Sequence, residues 1–380
     1  MRASQNQIVD PIALTKKLIE FDTINPPGNE EACALFVGKL LENSGFRVSY
    51  HQFSETRTSL VARIGGSDYL PPICFTGHID TVPLGAKPWT VDPFVSEISE
   101  GKLYGRGSSD MKSGVAAFVS AVIQISAELE NGHGAVLVIT AGEETGCEGS
   151  YYLASLKDVL GKAGAMVVAE PTSNRPLIGH KGALWLSAYT QGVTAHGSMP
   201  EHGDNAVYKA ARAISKLEDF DFNVARDPLL GKPTVNVGMV HGGLNINSVP
   251  DKAEVSIDIR TIPNQNHNTI KSHLENYLGE EVNIDSVVDV GGVLSDPNND
   301  WVLEVFEIMN SILGEKPKIG TASYFTDASA LTPAFGNIPT LILGPGEAAM
   351  AHQTDEYCYA DKIPESVDAY IEIAKNWNVR

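Results

Sequence analysis

The sequence predicts an α/β protein, built on a mostly parallel central sheet covered by helices, with a smaller α+β domain inserted into it. Three observations carry this. Short unbroken apolar runs alternate with helical stretches; the middle third switches to alternating strands; and 380 residues are more than one domain normally uses. Composition narrows the class. Forty-seven acidic residues against 28 Lys and Arg give a formal charge of −19. That field repels phosphate backbones and anionic lipid, so neither nucleic acid nor a membrane surface is an expected partner. No apolar run approaches the roughly 20 residues of a spanning helix, and the start, MRASQNQIVDPIALTKK, lacks a signal-peptide core. Four cysteines (Cys33, Cys74, Cys147, Cys358) show no CxxC spacing and are too sparse for a disulfide framework. A soluble, cytoplasmic protein is expected.

Taken in order, residues 11–44 read as helix. Leu14, Leu18, Ile19 and then Leu35, Phe36, Leu40, Leu41 recur at three- and four-residue spacing, broken by Asn25-Pro26-Pro27-Gly28. Four runs follow that are apolar without alternation: Ile73–Thr76, Ala135–Ile139, Ala165–Ala169 and Pro339–Leu343. Strands covered on both faces have this pattern. Met111–Leu129 reads as one helix between two of them. From about Gly182 to Gly291 the strands alternate as if one face were wet, at 184–189, 234–238 and 253–259. Helical patterns lie between them at Asn205–Leu217 and Asn268–Leu278. The expected domains are 1–181 with 294–380, and the insertion 182–293.

The chemistry lies at the ends of the buried strands. Ile73–Thr76 runs into Gly77-His78-Ile79-Asp80, Val136–Thr140 into Ala141-Gly142-Glu143-Glu144, and Met166–Ala169 into Glu170-Pro171; Leu341–Leu343 is followed by Gly344-Pro345-Gly346 and then His352. Ligands of open parallel sheets bind outside the carboxyl ends of the strands. Carboxylates gathered there repel one another, so a cation is expected to hold them. Histidine and carboxylate without thiolate suit Zn²⁺ or a similar ion. Asp80, two residues after His78, is placed to receive the other imidazole N–H. Asp110, in the glycine-broken loop 104–110, is a further ligand. With His78, Glu144, Glu170 and His352 it makes five, one more than a tetrahedral site takes, and two metals sharing a carboxylate account for the count. Of the adjacent Glu143 and Glu144, one can bind metal while the other serves as base.

Each residue alone has a plainer reading. Asp110 would be a helix N-cap, Glu143-Glu144 a solvated charge pair, and a histidine at a strand end a hydrogen-bonded structural group. Independent accidents would not put all of them at one sheet edge. Competing signatures are missing: there is no H-E-x-x-H, no G-x-S-x-G, and Met111 stands where a P-loop needs glycine before Lys112-Ser113.

The runs GHIDTVP (77–83), GRGSSDMKSGVAA (105–117), AGEETGCEGS (141–150), VVAEPT (167–172) and GPGEAAMAHQTDEY (344–357) resemble the M20 metallopeptidase and deacylase family, whose members include acetylornithine deacetylase and succinyl-diaminopimelate desuccinylase. The resemblance implies a zinc-peptidase-like catalytic domain and an inserted, ferredoxin-like lid and dimerisation domain. It implies two Zn²⁺, with Co²⁺ or Mn²⁺ as alternatives: His78 and Glu170 on one ion, Glu144 and His352 on the other, Asp110 bridging. Glu143 would activate a metal-bridged water and Asp80 would partner His78. His196, in Gly192–Ser198, would reach the neighbouring subunit's site and help stabilise the oxyanion. Asn247 and Arg260 would bind substrate, since a planar guanidinium suits a carboxylate. Thr326–Ser329 would shape the acyl or side-chain pocket. The implied activity is hydrolysis of the amide bond of an N-acyl amino acid by a homodimer. The alternatives are a dipeptidase or glutamate-type carboxypeptidase on the same scaffold and, more remotely, a non-catalytic binding protein of this fold.

Overall fold

The structure is a computed structural model that describes residues 8–67, 69 and 71–380. The chain divides into two compact units, residues 1–179 with 294–320 and 326–380, and residues 180–293 with 321–325.

The first unit is built on a six-stranded sheet. Its strands lie in the spatial order Arg47–Ser54, Arg57–Ile64, Ala135–Thr140, Ile73–His78, Ala165–Val168, Thr340–Ile342. The last four are mutually parallel, and Arg57–Ile64 runs antiparallel to both of its neighbours. Register places His78 beside Thr140, so the loops after both strands leave the sheet at one level. Every residue of Ile73–His78 and Ala135–Thr140 is buried, as their unbroken apolar character requires. Phe75 stacks on Phe118 and meets Tyr370 edge-on, which fixes the helices Lys112–Gln124 and Lys362–Asn378 on that face. All of Lys112–Gln124 except Gln124 is buried, so this helix belongs to the core and has no wet stripe.

One local expectation needs correction, and one element lies outside the sequence reading. The helix expected over 111–129 divides at Ile125, whose backbone leaves helical geometry and whose side chain enters the core; Lys112–Gln124 and Ser126–Glu130 are separate helices. The hairpin Arg47–Ser54/Arg57–Ile64 escapes a search for apolar runs because its buried end is polar. There Arg57 pairs with Glu30 and Glu148, and Ser59 accepts the N–H of Ala141.

The second unit runs β-α-β-β-α-β and forms a four-stranded antiparallel sheet in the order Thr234–Gly242, Lys252–Thr261, Gly182–Gln191, Val282–Val290. This is the ferredoxin-like arrangement. Helices Ala206–Glu218 and His267–Leu278 are capped by Asn205 and Asn266, whose side chains accept N–H groups of the first turn. Their apolar stripes pack with Leu184, Leu186, Val255 and Ile257. Gly182–Gln191 is not half wet as its alternation suggests. It is a central strand, and even Ser187 is buried, its hydroxyl donating to Glu254. No helix among the described residues is long and apolar enough to cross a membrane.

Candidate metal centre

Five side chains that the sequence singles out converge in the first unit as two overlapping groups, His78–Asp110–Glu170 and Asp110–Glu144–His352. In each group the ligand atoms lie within 4.8 Å of one another. Asp110 is common to both. Its Oδ1 is 3.1 Å from His78 Nε2 and its Oδ2 is 3.5 Å from His352 Nε2. Glu170 Oε1 lies 3.8 Å from His78 Nε2, and Glu144 Oε2 lies 3.0 Å from His352 Nε2. The strand ends deliver these residues as expected: His78 closes its strand, while Glu143, Glu144 and Glu170 follow theirs within a few residues. Asp110 does not cap the helix behind it. Met111 holds the cap position, no side chain bonds there, and the Asp110–Met111 peptide is cis.

His78 Nδ1 is hydrogen-bonded to the Asp80 main-chain oxygen at 3.0 Å, and the Asp80 carboxylate lies 3.5 Å away. The imidazole N–H is therefore held by Asp80, chiefly through its main-chain carbonyl. The carboxylate faces the next loop, where it accepts the main-chain N–H of Glu143 and of Glu144, each at 3.2 Å. One aspartate thus fixes the ring of His78 and the backbone of the double glutamate.

The electrostatics are those of crowded buried acids. Burial, then the charges of Glu170, Glu144 and Asp327, push Glu143 well above the carboxylate range. Burial and the Asp110 charge push Glu144 up to about 7, and burial with Asp110 raises Glu170 strongly. Asp80 goes the other way: burial raises it, but His78, the Asn25 amide and the Glu143 N–H outweigh that and hold it at about 2. Neutralising such a cluster is what a divalent cation does. The residues fit one. Glu144 Oε1 is buried with no hydrogen-bond partner, and the donors are imidazole and carboxylate, the set that suits zinc and similar ions.

Glu356 is a positioning group that the sequence reading missed. Its Oε1 accepts the N–H groups of Ser109 (2.8 Å) and Asp110 (3.0 Å), and its Oε2 accepts Gly107 N–H (3.0 Å) and pairs with Arg106 (2.7 Å). It lies four residues after His352, so a single buried side chain ties the Asp110 loop to the His352 loop. No spacing marks it; only its fourfold acceptor role does.

His196, Asn247 and Arg260 lie in the second unit. His196 is exposed, with Nδ1 2.7 Å from Ser198 Oγ, and its backbone bridges to Ser248 beside exposed Asn247. Arg260 is half-buried, pairs with Asp258 at 3.0 Å and lies over the Phe325 ring. Thr326–Ser329 is buried, with Asp327 accepting the Thr140 hydroxyl. Cys147 is a buried thiol 3.8 Å from Glu143 Oε1.

The sequence matches Peptidase family M20/M25/M40 over residues 74–376. The chain belongs to this family. A probable succinyl-diaminopimelate desuccinylase of Staphylococcus aureus strain Mu50 is 29% identical, over 95% of this chain and 97% of that one. An M20 metallo-carboxypeptidase of Sulfolobus solfataricus shares the fold at a TM-score of 0.83 and 18% identity, over 98% of this chain and 100% of that one. A Bacillus subtilis M20 peptidase described as dinuclear metal-binding does so at 0.70 and 15%, over 97% and 98%. The chain is an M20-type metal-dependent hydrolase with the family's α/β fold.

Proposed function

We propose that this hydrolase uses two zinc ions to cleave the amide bond of an N-acyl amino acid, with a succinyl-diaminopimelate or acetylornithine type of substrate. The observation that carries the dinuclear reading is Asp110, whose two oxygens address two separate histidines at 3.1 and 3.5 Å. The acyl-amino-acid reading is supported by the named desuccinylase that spans 95% of the chain.

In this reading His78 and Glu170 would hold one ion and Glu144 and His352 the other, with Asp110 shared between them. Such ions supply Lewis-acid polarisation of the scissile carbonyl and acidify water. Glu143, 5% exposed and held by its backbone on Asp80, takes the proton of the attacking water and passes it to the leaving amine. Its burial favours that relay, since a carboxylate whose pKa is raised by burial is the stronger proton acceptor. His196 stabilises the oxyanion from a neighbouring subunit, while Asn247 and Arg260 receive the substrate's polar groups. Pairing with Asp258 sets the direction of the Arg260 fork.

A homodimer through the second unit accords with its edge strand Thr234–Gly242, where Met239 and Val240 are 58% and 54% exposed. The compartment proposed is the cytoplasm.

The test is a panel of N-succinyl and N-acetyl amino acids beside dipeptides, assayed before and after chelation and after zinc is restored. Zinc-dependent hydrolysis of the acyl amino acids is expected. Turnover confined to dipeptides would replace the deacylase reading by a peptidase.

A further inference from the structure

Asn25-Pro26-Pro27-Gly28 stands out in the sequence as a break between helices, and nothing in the proposed reaction uses it. In the structure the preceding residues are clipped to the loop that carries His78 and Asp80. Thr23 Oγ1 donates to the Ile79 carbonyl at 2.6 Å, Thr81 N–H donates to the Thr23 carbonyl at 3.0 Å, and Asn25 N–H donates to the Thr81 carbonyl at 2.7 Å. This short parallel pairing brings the Asn25 side chain, 2% exposed, against Asp80. Its Nδ2 donates to Asp80 Oδ2 at 2.9 Å and to Thr145 Oγ1 at 3.0 Å. A carboxylate accepts only, so the amide nitrogen must face Asp80.

The consequence follows from how Asp80 is used. Its Oδ1 faces His78 Nδ1 and the Glu143 N–H, so rotation of the carboxylate would disturb both. Oδ2 is held by the Glu144 N–H at 3.2 Å and by Asn25 at 2.9 Å, and Asn25 is the shorter contact. We propose that Asn25 is a positioning residue for the metal centre: its amide locks the Asp80 carboxylate, and through it chiefly the Glu143–Glu144 backbone, in the orientation that receives a divalent ion. This rests on the metal-dependent reading of the site and adds to it a residue about fifty positions upstream of its nearest ligand.

The experiment measures zinc affinity of the full chain by chelator competition, with circular dichroism as the check on folding. The proteins are wild type, Asn25→Ala, Asn25→Asp and Thr145→Val. Groups that orient metal ligands carry roughly 10–100-fold in affinity, so Asn25→Ala should weaken zinc binding by about tenfold. Asn25→Asp keeps the size but sets oxygen against oxygen, and should lose more than the alanine variant. Thr145→Val leaves the bond to Asp80 in place and should stay within about twofold of wild type. A packing role would reverse the order of the two Asn25 variants, and an order so reversed overturns the proposal. So does zinc affinity unchanged in both, or a Thr145→Val loss equal to that of Asn25→Ala, which would make the asparagine a tie between loops. Should Asn25→Asp not fold, the comparison of Asn25→Ala with Thr145→Val decides. A wild-type chain that takes up no zinc removes the two-zinc reading proposed above, whereas two ions bound equally by wild type and variants removes only this inference.

Discussion

Glu356 and Arg106 form a buried ion pair at 2.7 Å, with the two side chains 0% and 1% exposed, directly behind the loop that presents Asp110. The guanidinium also lies over the Trp89 ring and donates to the Pro83 carbonyl. Burial, with a smaller push from the Asp110 charge, raises the Glu356 carboxyl, and Arg106 with the loop N–H groups works against that. The pair keeps a charge inside the protein because four donors converge on it.

Replacing Glu356 by Gln leaves Arg106 buried without its counter-charge. Breaking a buried pair by removing one partner costs about 3–5 kcal/mol, so Glu356→Gln should lower the denaturation midpoint markedly. Because the same side chain holds the Asp110 N–H, zinc affinity should fall with it. Urea unfolding and chelator competition check the two effects; an unchanged midpoint would show the pair to be dispensable.

Glu143→Gln tests the base. The amide cannot take a proton, but it is not among the ligand groups, so the variant should bind as many metal ions as wild type while kcat falls about 10²–10⁴-fold. Elemental analysis beside steady-state kinetics separates the two quantities. A variant that loses both metal and turnover would make Glu143 a ligand.

Gly114 tests how closely the core helix must approach the strand end that carries Glu170. A Cβ at this position would sit 2.1 Å from the Ala169 main-chain oxygen, closer than any contact allows. Gly114→Ala must push helix and strand end apart, at a cost of about 1–3 kcal/mol. The displaced residue is next to Glu170, so zinc affinity should drop together with the thermal midpoint. An alanine variant with native affinity would show that the helix can shift without disturbing the ligand.

The sheet edge was legible because the four strands that carry it are buried on both faces. Their apolar runs end abruptly, and the polar residues that follow His78, Thr140 and Ala169 had to leave the sheet together. Asp110 was legible only through the ligand count and the family resemblance, since the loop from Gly105 has no periodicity. Asn25 and Glu356 were not legible as site residues. Each acts through contacts more than 50 or 200 positions away in sequence, Asn25 on Asp80 and Glu356 on Gly107 and Asp110. The hairpin at 47–64 was hidden for a related reason: Arg57 and Ser59 are polar yet buried, and what satisfies them comes from Glu30 and Ala141.

His180 supplies a pH test that is separate from the ligands. It is fully buried, with Nδ1 2.8 Å from the Lys181 carbonyl and Nε2 without a partner. Burial pushes it down to about 4, partly opposed by the bond to Lys181. In the unfolded chain a histidine titrates near 6.5. Between these values the unfolded chain holds more protons, so stability rises with pH across that window. The contribution is complete above about pH 6.5 and is lost as the pH falls toward 4; at ~1.4 kcal/mol per unit the gap amounts to about 3 kcal/mol. His180→Gln should remove this part of the acid sensitivity. Urea midpoints of wild type and variant at pH 7.5 and 5.5 should therefore differ more in wild type than in the variant. Equal differences in the two proteins would mean that His180 takes up its proton in the fold at the same pH as in the unfolded chain.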